Sequence, residues 1–149
     1  MKVNEATKDK FVSAMYNMVR AIKNQSEECG KLCGGLSEKE MMLIIFVGQN
    51  QNVKMSEIAD NIEAPMSTLT SIVDKLVDGG FLSRDHSGQD RRVINVFLGK
   101  IGKMAYKTII NQKKEIAQKV LSQLSEKEQD VLIEYLNIVS SQVGKGDKK

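Results

Sequence analysis

One interruption in an otherwise helical hydrophobic pattern constrains the fold of this chain most. Residues 81–98, FLSRDHSGQDRRVINVFL, place a polar turn with a glycine and two adjacent arginines between two apolar segments. From Val93 onward, successive side chains fall on two alternating sets, which is typical of a strand. A polar turn between two such segments predicts a β-hairpin with a loop of about five residues or slightly more.

The segments on either side of this hairpin carry apolar residues at helical spacing. A first helix is predicted over residues 6–28, and a long helix is predicted from about residue 99 to residue 123. The segment LSEKE occurs at 36–40 and again at 124–128. Each copy fits the S-x-x-E capping box and therefore predicts the start of a further helix. The chain is thus predicted to be mainly α with one small β-hairpin.

Two short helices are predicted immediately before the hairpin. Ser56 is the expected N-cap of the first, and Pro65 separates it from the second. Gly79 and Gly80 end the second of these helices, which is the fourth helix of the chain. Two short helices joined by a tight turn form a helix-turn-helix.

The fourth helix has an apolar face and a face rich in hydroxyl groups. Its predicted buried residues are Leu69, Ile72, Val73 and Leu76. The opposite face then carries Ser67, Thr68, Thr70, Ser71, Asp74 and Lys75. Short hydroxyl side chains near a helix N-terminus suit a helix that lies in the DNA major groove. The alternative is an ordinary solvated face, and Asp74 counts against DNA unless it bonds to a base or a neighbouring side chain.

The tip of the hairpin carries Arg91 and Arg92. If the fourth helix occupies a major groove, this tip reaches the neighbouring minor groove, where the negative potential favours arginine. Asp90 is expected to hold one of the arginines through a bidentate pair. The alternative is a solvated turn in which the arginines pair with Asp85 and Asp90.

Composition argues against several other classes of protein. The two cysteines, Cys29 and Cys33, and the single histidine, His86, are too few for a four-ligand zinc site. The same scarcity leaves no second imidazole for a catalytic pair, so no enzyme, metal or cofactor is predicted. The polar N-terminal residues favour a cytoplasmic protein without a membrane segment. The net charge of +3 does not by itself indicate nucleic acid.

The motifs SEIA, STLTSIVDKLVDGGFLSR and DRRVINVFL, with Gly102 three residues past Gly99, resemble the MarR family of transcription regulators. The resemblance is close over residues 36–106. It implies a dimerisation helix and connector at 1–35, a winged helix-turn-helix at 36–98, dimerisation helices at 99–143 and a disordered tail at 144–149. It also implies a homodimer that binds a pseudo-palindromic operator in double-stranded DNA.

The resemblance further implies a repressor that a small lipophilic or phenolic effector releases from DNA. The residues carried over to DNA contact are Ser67, Thr68, Thr70 and Ser71, with Lys75 on phosphate and Asp90, Arg91 and Arg92 in the wing. The chain departs from the family at Pro65, which replaces a Ser-type cap, and at Ser71, where many members have arginine. Gly99 replaces a threonine, which removes a side-chain cap from the next helix.

Two alternatives to the DNA-binding repressor stay open. The first is a winged-helix module that binds a protein partner through the hairpin. The second is a thiol-based redox regulator that uses Cys29 and Cys33, although two ordinary thiols are the favoured interpretation. A depressed thiol pKa is the property that would distinguish a sensor.

Overall fold

The structure is a computed structural model that describes residues 1–144, and it is mainly helical with one small sheet. The predicted tail at 144–149 lies outside the described residues except for Gly144. None of the helices in the described part is both long and apolar enough to span a bilayer. The elements in chain order are α1 Glu5–Leu32, α2 Glu38–Asn50, β1 Val53–Lys54, α3 Met55–Asn61, α4 Met66–Asp78, β2 Leu82–His86, β3 Ile94–Leu98, α5 Lys100–Leu121 and α6 Glu126–Val143.

The chain divides into two compact units, Met1–Ile110 and Asn111–Lys149. The first unit contains α1 to α4, the sheet and the first half of α5, and α2 supplies the centre of its core. The side chains in that unit that are fully buried are Leu43, Ile44, Val47, Val53, Ile58, Leu69, Val73, Leu76, Leu82, Val96 and Ile109. In the second unit, Gln129 ties α6 to the preceding turn by donating to the carbonyls of Leu121 and Leu124, each at 3.1 Å.

Helix α1 is longer than predicted. It continues past Glu28 to Leu32, and Gly30 lies within it, buried where any Cβ would overlap the carbonyl oxygen of Leu36. The chain reverses only at Gly34 and Gly35, whose φ angles of 88° and 84° favour glycine. Gly34 and Gly35, rather than Gly30, therefore follow the end of α1.

Both LSEKE segments begin helices, as predicted. At α2 the capping box is complete: Ser37 Oγ accepts from the Glu40 N–H at 3.3 Å, and Glu40 Oε2 accepts from the Ser37 N–H at 2.8 Å. At α6 the carboxylate of Glu128 accepts from the N–H of Ser125 at 2.9 Å and from its hydroxyl at 2.6 Å. These bonds satisfy N–H groups that a helix start leaves without partners.

The predicted N-cap at Ser56 is wrong, because the helix starts two residues earlier and the N-cap is Lys54. Val53 and Lys54 form β1, which pairs with Val96 and Asn95 of β3, so the chain passes directly from a strand into α3. Glu57 Oε2 accepts from the Lys54 N–H at 2.7 Å and closes this helix start.

The predicted hairpin is confirmed, and β1 makes it a three-stranded antiparallel sheet in the order β1-β3-β2. Strands β2 and β3 pair from Leu82 with Leu98 to His86 with Ile94. His86 thus belongs to a strand rather than to the turn. Val93 belongs to the loop, residues 87–93, where its N–H bonds to the Asp90 carbonyl at 3.0 Å. We call residues 82–98 the wing.

The start of α5 lies against the turn that ends α4. Gly102 is buried where a Cβ would overlap the carbonyl oxygen of Phe81, and a Cβ on Gly99 would overlap the carbonyl oxygen of Gly80. The expectation that Gly99 merely loses a helix cap is therefore incomplete. A threonine at Gly99 would require the two backbones to separate.

Candidate nucleic-acid interface

Helix α4 presents the hydroxyl-rich face that the sequence predicts. Leu69, Val73 and Leu76 are buried on one side, and Ile72 is half-buried beside them. Pro65 is the N-cap, with φ −57° and ψ 144°, so the family departure at this position still starts a regular helix. The exposed residues on the opposite side include Ser67, Thr68, Thr70, Ser71 and Lys75.

Two of these hydroxyl groups already donate a hydrogen bond within the helix. Thr70 Oγ1 donates to the Met66 carbonyl at 2.9 Å, and Ser71 Oγ donates to the Ser67 carbonyl at 3.1 Å. A hydroxyl that donates in this way keeps its lone pairs as acceptors. Thr70 and Ser71 therefore present acceptors on the exposed face.

The structure places Lys75 against α2. Its ammonium bonds to Glu40 Oε1 at 2.6 Å, while the rest of its side chain remains 70% exposed. Glu40 itself is only 5% exposed. Burial raises the pKa of Glu40, but the hydrogen bonds from Lys75 and Ser37 outweigh it and hold the pKa below its ordinary value. Lys75 thus ties α4 to the capping box of α2.

Asp74, which sequence reasoning counted against DNA, has a partner within the protein. Its carboxylate forms an ion pair with the guanidinium of Arg84 on β2. This pair joins the exposed side of α4 to the base of the wing. Sequence reasoning missed both Glu40 and Arg84, because nothing in the local pattern shows which partner a charged residue meets across the fold.

The wing tip is organised through the backbone. Asp90 Oδ1 accepts from the Arg92 N–H at 2.9 Å, and His86 Nδ1 lies 2.9 Å from the Arg91 carbonyl oxygen. The bidentate pair expected between Asp90 and an arginine side chain is not formed. Within residues 1–144 neither Arg91 nor Arg92 forms an ion pair, so the solvated turn with Asp85 and Asp90 as partners is not observed either.

The two cysteines lie together at the end of α1. Cys29 is in the last turns of the helix, Cys33 is its C-cap, and both are free and buried. Burial, followed by the neighbouring Cys29, raises the pKa of the Cys33 thiol to about 11. The thiolate is the reactive form, so this environment opposes the chemistry of a redox sensor. No cluster of three or more potential ligands (His, Cys, Asp, Glu) within the described chain is arranged to hold a metal ion.

One part of the chain matches the model of a known protein family. The model of the MarR family matches residues 36–94, which span α2, the helix-turn-helix and most of the wing. The matched residues resemble the MarR family, and they include the α3 and α4 motifs and most of the wing motif from which the sequence predicts the same resemblance.

Two proteins of Bacillus subtilis are similar to this chain over part of its length. It is 29% identical over 105 residues to YfiV, an uncharacterized HTH-type transcriptional regulator of Bacillus subtilis, covering 70% of this chain and 66% of YfiV. It is 29% identical over 94 residues to the Bacillus subtilis HTH-type transcriptional repressor MdtR, covering 63% of this chain and 61% of MdtR. The chain thus spans just under two thirds of the length of these two relatives.

A solved structure has a similar fold. Streptococcus pneumoniae FabT, whose crystal structure was determined in complex with DNA, superposes with a TM-score of 0.77 at 24% identity. The superposition covers 95% of this chain and 98% of FabT. At this identity the likeness establishes the winged helix-turn-helix fold.

Proposed function

We propose that the chain is a homodimeric, sequence-specific DNA-binding regulator of transcription that acts as a repressor. The Asp74–Arg84 ion pair carries the proposal, because it links α4 to the wing. A major-groove helix and a minor-groove hairpin that are linked in this way contact DNA together, in one relative orientation. Such a link supports a surface in which α4 and the wing act together on DNA.

Helix α4 is proposed to lie in the major groove as the recognition helix. Its first-turn N–H groups, near Ser67 and Thr68, favour phosphate oxygens because they lack partners within the helix. Thr70 and Ser71 present acceptors, and the major-groove donors are the amino groups of adenine and cytosine. The half-site is therefore proposed to place adenine or cytosine opposite these two residues.

The wing is proposed to place Arg91 and Arg92 in the adjacent minor groove. Both residues are exposed, and no carboxylate within residues 1–144 neutralises their guanidinium groups. Arginine is favoured in a narrow minor groove, where the negative potential is strongest. Lys75 is assigned a different role from the one that the resemblance implies: it orients α4 through Glu40 rather than bonding primarily to phosphate.

A second copy of the chain is proposed to cover the apolar faces of α1 and α6. Helix α1 leaves a row of large side chains more than half exposed: Phe11, Val12, Tyr16, Val19 and Ile22. Helix α6 leaves five large side chains between 44% and 61% exposed: Val131, Ile133, Tyr135, Leu136 and Ile138. Exposed apolar rows of this size mark interaction surfaces. A two-fold dimer would present two wings to half-sites about one helical turn apart.

A groove in the first unit is the proposed site for a small lipophilic or phenolic effector that releases DNA. Its volume is about 370 Å³, and its lining combines Leu36, Ser37 and Met41 with the charged residues Lys23, Glu27, Lys31 and Glu38. This volume suits a small molecule. Ser37 belongs to the same capping box as Glu40, which holds Lys75 of α4. A ligand that displaces Ser37 would therefore disturb the support of the recognition helix.

Selection from a random library of duplex DNA by the purified protein, at near-physiological salt, tests the proposal. We expect enrichment of an inverted repeat whose half-sites lie about one helical turn apart. If no sequence is enriched and binding to bulk DNA is also weak, the DNA-binding regulator is refuted. Protein partners of the wing would then be the next class to examine.

A further inference from the structure

We infer that His86 and Asp90 together hold the peptide unit between Arg91 and Arg92, and that His86 thereby makes DNA binding by the wing pH-dependent. This inference rests on the proposed role of the wing in DNA binding. Nothing in the family resemblance assigns a function to His86. It is the only histidine in the chain.

The geometry centres on one peptide unit. The carbonyl of Arg91 and the N–H of Arg92 belong to the same peptide bond, and each has a side-chain partner. His86 Nδ1 lies 2.9 Å from the carbonyl oxygen, and Asp90 Oδ1 accepts from the N–H at 2.9 Å. Bonds at both ends fix the rotation of this peptide plane. They therefore fix the directions in which the Arg91 and Arg92 side chains leave the backbone.

The rest of the loop supports this arrangement. The Ser87 N–H donates to the Val93 carbonyl at 2.8 Å, and the Val93 N–H donates to the Asp90 carbonyl at 3.0 Å. His86 is the last residue of β2 and pairs with Ile94 of β3. The imidazole thus projects from the end of a paired strand, whereas the arginines lie in the loop. The strand gives the loop a fixed point of attachment.

The contact determines where the imidazole carries its proton. A carbonyl oxygen only accepts, so His86 Nδ1 must carry a hydrogen for the bond to form. The neutral side chain meets this requirement in one of its two tautomers, and the charged side chain meets it always. Protonation therefore stabilises the arrangement of the arginines and adds a positive charge close to them. Both effects favour binding to phosphate-rich DNA as the pH falls.

The charged groups near His86 come from the wing and from α4. On β2 they are Arg84, which is paired with Asp74 of α4, and Asp85. In the loop they are Asp90, Arg91 and Arg92, whereas the residue opposite His86 on β3 is the uncharged Ile94. His86 carries the chain's one imidazole, the side-chain type whose charge ordinarily changes between about pH 5 and 8.

The first experiment measures the affinity of the full-length protein for its selected duplex from about pH 8 to about pH 6 at constant salt. We expect the wild-type affinity to rise by roughly three- to tenfold, as an added cation near phosphate predicts. In His86→Asn the amide nitrogen takes the place of Nδ1 as a donor but does not titrate. This variant should keep the wild-type affinity near pH 8 and lose the rise.

His86→Ala removes the donor as well as the charge. It should bind more weakly than His86→Asn across the whole pH range, because the peptide unit loses one of its two partners. A rise that persists in His86→Asn, or a flat wild-type profile, overturns the inference while leaving the DNA-binding proposal intact. Failure of every variant and of the wild type to bind any duplex refutes the DNA-binding proposal instead.

A second measurement does not depend on DNA. The ¹⁵N chemical shifts of the His86 imidazole in the free protein report which nitrogen carries the proton. We expect the Nδ1–H tautomer at neutral pH, because the Arg91 carbonyl requires it. Observation of the Nε2–H tautomer would contradict the arrangement even if the affinity changes with pH.

Discussion

Replacing Glu40 with glutamine tests whether the link between α2 and the recognition helix stabilises the fold. Glutamine has nearly the same shape as glutamate, and its carbonyl oxygen still accepts the Ser37 N–H. The variant loses the negative charge that faces Lys75 at 2.6 Å. Glu40→Gln therefore removes one charge-assisted hydrogen bond and leaves the packing unchanged.

The expected decrease in the free energy of unfolding lies between two limits, which depend on how exposed Glu40 and Lys75 are. Hydrogen bonds to charged groups contribute about 1.5–3 kcal/mol, and the burial of Glu40, 5% exposed, favours this range. The Lys75 side chain is 70% exposed, so water partly replaces its lost partner, as in surface ion pairs worth at most about 1 kcal/mol. We therefore expect a decrease of about 1–2 kcal/mol in the free energy of unfolding near pH 7.

The effect should depend on pH in a defined direction. Because the pKa of Glu40 is lowered from 4.5 in the folded protein, its ionised form contributes stability that is fully present above about pH 4.5. That contribution is lost as the pH falls through the folded pKa. Protonated glutamate resembles glutamine, so the difference between wild type and Glu40→Gln should shrink in acid.

Urea denaturation at one fixed protein concentration measures this difference, since stability of a dimer depends on concentration. Glu38→Gln is the matched control, because it removes a charge from the same first turn of α2 at an exposed position. Equal stability of Glu40→Gln and wild type near pH 7 would refute the reasoning. A difference that stays constant into acid would refute the assignment of the effect to the carboxylate charge.

Two further predictions concern buried positions. Gly102→Ala should lower the free energy of unfolding by about 1–3 kcal/mol or more, because its Cβ would overlap the Phe81 carbonyl oxygen. The control is Gly88→Ala, which faces open space and should have little effect. Similar urea midpoints for the two variants would contradict the close approach of Gly102 to Phe81. Alkylation of Cys29 and Cys33 by iodoacetamide near pH 8 should be slow in the native protein and fast in urea, because both are buried and the pKa of Cys33 is raised to about 11. Fast native alkylation, measured by mass spectrometry, would revive the redox alternative.

Much of the fold was predictable because its elements depend on local patterns. The two LSEKE segments predict helix starts through bonds between residues three positions apart, and both helices begin there. The alternation of side chains after Val93 is likewise a local pattern, and it predicts a strand. Strand β1 has only two residues and forms by pairing with β3. Two residues are too few to show the alternation that predicts a strand. The N-cap of α3 is Lys54, the last residue of β1, rather than the predicted Ser56.

For the candidate site, the sequence predicts which side chains of α4 are exposed, but it does not predict their partners on other elements. The exposure of Ser67, Thr68, Thr70 and Ser71 follows from helical spacing once the apolar face is identified. The partners of Lys75 and Asp74 do not, because Glu40 is 35 positions away and Arg84 is on a different element. The partner of Asp90 was also predicted incorrectly: its carboxylate accepts from the Arg92 backbone N–H and does not pair with an arginine side chain. A carboxylate beside two arginines bonds as readily to backbone N–H as to guanidinium, so the sequence does not distinguish the two.

The most direct test of the account is the salt dependence of binding to the selected duplex. For wild type we expect the logarithm of affinity to fall linearly and steeply with the logarithm of salt, as counterions are released. Replacing both Arg91 and Arg92 with alanine should weaken binding and reduce the slope by about 1 or more. Lys127→Ala, an exposed charge on α6, is the control and should change neither. A wild-type affinity that is insensitive to salt, or a double variant with the wild-type slope, would contradict the account.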